Sequence, residues 1–243
     1  MPRGPARNAN PPGRGHTPAP DVSDDVDRTT EMTTLDSGAP ASTDRAAHWD
    51  AVYRRLGPNA VSWFQAEPVM SLRLLELAGS TSADAVVDVG GGTGLLAATL
   101  VEGGYGDVTV LDVSAEALAL AQRRCPSGVT FLRGNVLEWV PARRFDVWHD
   151  RAVFHFLGDP ADRRRYRGTL RQSLRPGGLA ILGVFAADGP PTCSSLPVER
   201  YDRDALAAAL GSGFETIACE REVHRTPRGT EQPFTWLAVC RVP

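Results

Sequence analysis

The chain has 243 residues, 42% hydrophobic and 23% charged, which suits one large globular domain or two small ones. Its formal net charge of −3, from 26 basic and 29 acidic residues, argues against a partner bound by blanket phosphate neutralisation, and so against nucleic acid. Every basic residue is arginine, which removes Schiff-base chemistry, pyridoxal-phosphate attachment and the P-loop lysine.

Residues 1–44 hold seven prolines, no aromatic residue and few large apolar ones, and their four arginines and seven acids sum to −3. Such a segment cannot bury enough surface to offset its ordering entropy, so a disordered tail is expected over 1–44 and one folded domain over 45–243. The tail reads either as a docking segment or as an extension without a role. Beyond it, strand and helix patterns alternate, the signature of a parallel sheet covered on both faces. A helix is predicted over Val69 to Leu77, a buried strand over Ala85 to Val89, and a helix over Leu95 to Val101. A second strand follows at Asp107 to Asp112, and Ser114 caps the next helix. Strands at Val129 to Leu132 and Phe145 to His149 precede a polar helix at Pro160 to Leu174. Pro176, Gly177 and Gly178 then turn the chain into the strand Leu179 to Phe185. After a helix at Tyr201 to Leu210, Phe214 to Glu220 and Phe234 to Val242 read as two strands with no helix between them, hence an antiparallel hairpin.

The four cysteines, at 125, 193, 219 and 240, form no CxxC and no histidine stands at ligand spacing, so neither a disulfide framework nor a metal site is expected. A reducing, cytoplasmic setting fits. The longest uncharged apolar stretches, such as Gly177 to Ala187, are well short of the roughly 20 residues that span a bilayer, and Met1 to Pro5 has no apolar signal-peptide core. No membrane association is expected.

The strongest motif is the loop after the first strand, Gly90, Gly91, Gly92, Thr93 and Gly94, with Asp88 before it. Glycines permit a tight turn and close approach of a ligand to a helix N-terminus. Leu95 stands where a dinucleotide-binding GxGxxG needs its last glycine. Asp112 ends the second strand twenty residues after Gly92, where a carboxylate can accept both hydroxyls of a ribose. After the third strand, Asn135 offers an amide oxygen to an adenine amino group, and the Val136 N–H can donate to the ring.

Together with Leu174, Arg175, Pro176, Gly177 and Gly178, these motifs make residues 46 to 243 resemble the class I S-adenosylmethionine-dependent methyltransferases. The resemblance implies an α/β, Rossmann-like, doubly wound seven-stranded sheet, mostly parallel with an antiparallel last strand. It implies S-adenosylmethionine as cofactor, with Asp88, Gly90, Gly92 and Gly94 at the methionine part, Asp112 and Val113 at the ribose, and Asn135 and Val136 at the base. Asn135 departs from the commoner aspartate.

The same resemblance places Asp150 and Arg151 beside the transferred methyl, so Asp150 is a candidate for both cofactor and catalysis. Asp150 either orients a nucleophile or pairs with Arg151 at the rim. His149 is a candidate base or a packed strand histidine, and His155 a substrate contact or a core residue. Trp49, Tyr53, Trp63, Phe64 and Gln65 form an aromatic N-terminal segment that either faces a sulfonium or planar substrate or docks a helix on the sheet. The late residues Cys193, Tyr201, His224 and Gln232 suggest a lid, with His224 a third candidate for catalysis. Trp63, Phe64, Gln65, Asp150 and Arg151 also give a partial likeness to the thiopurine S-methyltransferase branch, which implies that Arg151 meets the substrate. Three functions stay open: transfer to a small-molecule acceptor, which is preferred, methylation of protein side chains, and a non-catalytic sensor.

Overall fold

The computed structural model describes residues 42–125 and 127–242, with side chains from Arg45 onward. The tail expected over 1–44 lies outside the described residues, except that the first helix, α1 (Ser42–Leu56), already includes its last three. α2 (Val69–Leu77), β1 (Ala85–Val89) and β2 (Asp107–Asp112) have the predicted bounds, α2 following a helical spacing of apolar residues and the two strands short buried runs. α2 buries Ser71, Leu74 and Leu75 rather than a purely apolar stripe, and Leu77 is exposed. α3 (Leu95–Glu102) follows the glycine loop, and α4 (Ala115–Arg124) is capped by Ser114, whose hydroxyl accepts from the Ala117 N–H. β3 (Val129–Arg133), β4 (Phe145–Arg151) and α5 (Pro160–Ser173) complete the parallel half.

Two segments differ from expectation by more than two residues, the start of the fifth strand and the final hairpin. β5 (Leu174–Phe185) starts five residues early, since its pairing with β4 jumps from Leu174 opposite Phe145 to Leu179 opposite Val147, leaving Pro176, Gly177 and Gly178 in a bulge. After a two-stranded ribbon, β6 (Thr192–Cys193) and β7 (Leu196–Pro197), and helix α6 (Arg203–Leu210), the final strands β8 (Phe214–Arg225) and β9 (Glu231–Arg241) run through most of the segment expected to be a loop. β8 is an edge strand, and its inward positions there are polar. Glu222 accepts from Trp236 Nε1 (2.8 Å) and from Gln65 Nε2 (2.9 Å), and His224 Nε2 lies 2.8 Å from the Ser62 carbonyl. Polar residues on both faces erase the alternation that would announce a strand.

The sheet order is β3-β2-β1-β4-β5-β9-β8, with β9 antiparallel to both neighbours and the other adjacent pairs parallel. This is the expected seven-stranded, doubly wound arrangement. α5 and α6 cover one face through Trp148, Tyr166, Leu170 and Leu206. α2, α3 and α4 cover the other through Leu74, Leu96, Leu100 and Leu118. α1 packs on α4, with Val52, Tyr53 and Val61 against Ala117. The chain leaves β1 in opposite directions toward β2 and β4, so the carboxyl ends of β1 and β4 flank a crevice, the place where open α/β sheets bind ligands. Among the described residues no helix is long and apolar enough to cross a membrane.

Candidate active site

The crevice is walled by the turns that follow the first four strands. After β1, Gly90 takes φ +64°, and a Cβ there would collide with the Val153 side chain. Gly92 takes φ +56°, and a Cβ there would stand 2.7 Å from the Tyr53 hydroxyl. Both positions combine a left-handed backbone with space taken by a neighbour, so only glycine fits. Gly94 caps α3 and lies against α4 rather than against the crevice. After β2, Asp112 turns back toward the loop. Its Oδ2 accepts from the Gly92 N–H (2.9 Å) and its Oδ1 from the Ser114 N–H (2.8 Å). Burial, opposed by these two bonds, holds its carboxyl up at about 6. After β3, the Asn135 Oδ1 accepts from the Leu137 N–H (3.0 Å), and its Nδ2 donates to Glu138 (3.2 Å). That amide shapes the turn and leaves the Val136 N–H without a partner among the described residues.

Two cavities share this crevice and meet at Gly90, Trp63 and Arg151. The first, about 1070 Å³ including its open mouth, is lined by Asp112, Val113, Asn135 and Val136 from the turns after β2 and β3. Trp49, Phe156, Cys193 and Leu196 also wall it. The second lies under the glycine loop, where Gly90, Gly91 and Gly92 face Asp88, Ser71 and His149. α1 roofs the crevice. Asp50 accepts from the Ser114 hydroxyl (2.6 Å) and the Glu116 N–H (3.2 Å), and the Tyr53 hydroxyl accepts from Trp63 Nε1 (3.3 Å). Trp49, Tyr53 and Trp63 pack edge to face. The segment thus docks a helix and also lines the crevice.

Several predicted residues have other work. Asp150 lines neither cavity. Its carboxylate points into the core and accepts from the Tyr166 hydroxyl (2.5 Å), from the Val153 N–H (2.9 Å) and from the Phe154 N–H (3.2 Å). It holds the turn after β4 and makes no pair with Arg151, which corrects both its cofactor and its catalytic assignment. His149 sits between Asp88 (2.8 Å) and Ser71 (2.9 Å), beneath the glycine loop and away from the first cavity. His224 ties β8 to the segment after α1 and lines neither cavity, so it is not placed to act as a base. His155 stacks between Phe156 and Phe185, and burial, with Arg151 nearby, pushes it down to about 3. Tyr201 stacks on Phe154 outside both cavities. Of the suggested lid, only the β6–β7 ribbon reaches the crevice, through Cys193, Leu196 and Pro197. Cys193 is buried, which pushes its thiol up to about 12, as befits a small hydrophobe rather than a nucleophile. Sequence reasoning missed Ser71, Asp50 and Leu196, and of these only Asp50 carried a signal, its place beside Trp49.

The residues present fit an adenosyl amino acid: small residues where it must approach, a buried acid at the end of β2, an open backbone donor at Val136 and polar groups under the loop. Comparison with known proteins agrees. Residues 86–178 match the model of a methyltransferase domain. The chain is 26% identical to EEF1A lysine methyltransferase 2 of Danio rerio over 162 residues, 59% of this chain and 70% of that one. It superposes with TM-score 0.66 and 24% identity on the 1,6-didemethyltoxoflavin-N1-methyltransferase of Burkholderia thailandensis, solved with 1,6-didemethyltoxoflavin and S-adenosylhomocysteine, over 86% of this chain and 94% of that one. TM-score and identity are the same, 0.66 and 24%, for a structure described as the conversion of a disulfide bond into a thioacetal group during echinomycin biosynthesis, over 81% and 93% of the two chains. Residues 86–178 thus match a methyltransferase domain and stand at the switch point of a sheet whose fold is shared with solved methyltransferases.

Proposed function

We propose that the protein transfers a methyl group from S-adenosylmethionine to a small, largely apolar acceptor that enters the first cavity beside Trp49, Phe156 and Leu196. The observation that carries this reading is the make-up of that cavity's walls. Among the described residues its ionisable ones are Arg45, Tyr53, Asp112, Arg151 and Cys193, with no histidine and no second carboxylate. When bound, the cofactor supplies an electrophilic methyl on a sulfonium sulfur and leaves as S-adenosylhomocysteine. The chain's part is to hold the two partners in line and to exclude water, and alignment alone is worth roughly 7–11 kcal/mol. A general base is needed only when the nucleophile is protonated at the working pH. The acceptor atom therefore arrives with a free lone pair, as a thiolate or an unprotonated amine.

Asp112 is read as the acceptor for the ribose hydroxyls, each oxygen keeping a lone pair after its backbone bond. Ionised, it binds them; protonated, it loses that capacity. With its carboxyl at about 6, affinity for S-adenosylhomocysteine is expected to be level above about pH 7. Below pH 6 it should fall by up to about tenfold per unit. Calorimetry across this range checks it, and a flat profile would remove Asp112 from nucleoside recognition.

The lysine methyltransferase among the relatives supports a second reading, a protein lysine as acceptor. Labelled S-adenosylmethionine incubated with thiols, amines, phenols and protein extract separates the two. Label is expected in the soluble small-molecule fraction. For a thiol acceptor, kcat/KM should rise with pH until the acceptor's own pKa and then level, as no side chain takes the proton. Label confined to precipitated protein would overturn the small-molecule reading.

A further inference from the structure

Arg151 is the one group shared by the two cavities whose charge is unanswered. Its Nη1 donates to the Trp63 carbonyl (2.8 Å) and its guanidinium lies 4.9 Å from the centre of the Phe234 ring. Its Nε and Nη2 are fully covered and have no hydrogen-bond partner among the described residues. No carboxylate stands within ion-pair distance of it among the described residues. The acids whose charge it feels are engaged elsewhere: Glu222 with Trp236 and Gln65, Asp88 with His149. Leaving a covered guanidinium half-satisfied is costly, and a fold keeps one where a ligand completes it. Among the described residues the second cavity holds one acid and one guanidinium, Asp88 and Arg151, facing the glycine loop. That is the charge pattern of an α-amino acid zwitterion.

We propose that Arg151 receives the carboxylate of the cofactor's amino-acid part, so that Asp88 and Arg151 together grip its two charged ends and Arg151 is not an acceptor contact. The chain Asp88–His149–Ser71 keeps the acid in place: His149 uses both ring nitrogens, and Ser71 anchors the far one to α2. His149 and Ser71 are positioning residues. The apolar acceptor end of the first cavity is then free of any fixed charge that the guanidinium would impose on the choice of acceptor.

This rests on the cofactor reading above, and the test separates the two. Calorimetry on the full chain compares S-adenosylmethionine with decarboxylated S-adenosylmethionine, which lacks only the carboxylate. The wild type should prefer the former by roughly 10- to 100-fold, the span of one charge-assisted bond or a bidentate pair. Arg151→Met should erase that preference by weakening S-adenosylmethionine alone, with affinity for the decarboxylated form unchanged within about twofold. Arg151→Lys, which keeps a charge, should retain part of it and serves if the methionine variant does not fold. Equal weakening of both ligands would make Arg151 a packing residue and overturn the proposal. So would unchanged affinity for both ligands with a raised KM for the acceptor. A wild type that binds neither nucleoside would instead sink the cofactor reading itself.

Discussion

Asp112→Ala is expected to weaken S-adenosylmethionine and S-adenosylhomocysteine binding by about 100-fold or more, alike for both. Each carboxylate oxygen is fixed by one backbone N–H, from Gly92 or Ser114, and so needs no reorganisation to accept a ribose hydroxyl. Two charge-assisted bonds at about 1.5–3 kcal/mol each set the scale, reduced by water entering the space left by the side chain. The change also frees the Gly92 N–H, so the loop loses its tie to β2. Asp112→Asn keeps the shape but turns an NH₂ toward one of those two donors, and should fall between alanine and wild type. Calorimetry with a parallel circular dichroism spectrum checks both variants, and an alanine variant within about threefold of wild type would place the nucleoside elsewhere.

Asp150→Ala is expected to act on the fold. The carboxylate is wholly buried, and its removal strands the Tyr166 hydroxyl and the Val153 and Phe154 N–H groups beneath β4. Buried donors left without an acceptor cost about 1–3 kcal/mol each, so a loss of about 3 kcal/mol or more follows, a large part of an ordinary domain's stability. Thermal melting should show a drop of roughly 6–12 °C. Asp150→Asn, which keeps an acceptor for two of the three donors, should lose less. Below its melting temperature the asparagine variant should turn over within a few-fold of wild type. A normal melting temperature with activity lost a thousandfold would restore Asp150 to the chemistry.

What the sequence disclosed about the site, and what it hid, divide along a physical line. Backbone-dictated features were legible. The apolar runs of β1 and β2 and the glycines at 90 and 92 each declare a local requirement, and their placement follows from it. Side chains whose meaning lies in a distant partner were not. Asp150 stands after a strand as an acid with no visible purpose, because Tyr166 is sixteen residues away on α5. His149 resembles a free base until Ser71, on the helix that opens the chain's second face, is brought to its other nitrogen. The tip of the β8–β9 hairpin stayed hidden for a related reason, since Glu222 and His224 face inward to bind Gln65 and Ser62, residues far back in the sequence.

The bond from Asp50 to Ser114 joins the roof helix to the very turn that bears Asp112. Asp50 thus steadies the β2 turn from outside the sheet, and any shift of α1 is passed to Asp112 through a single serine.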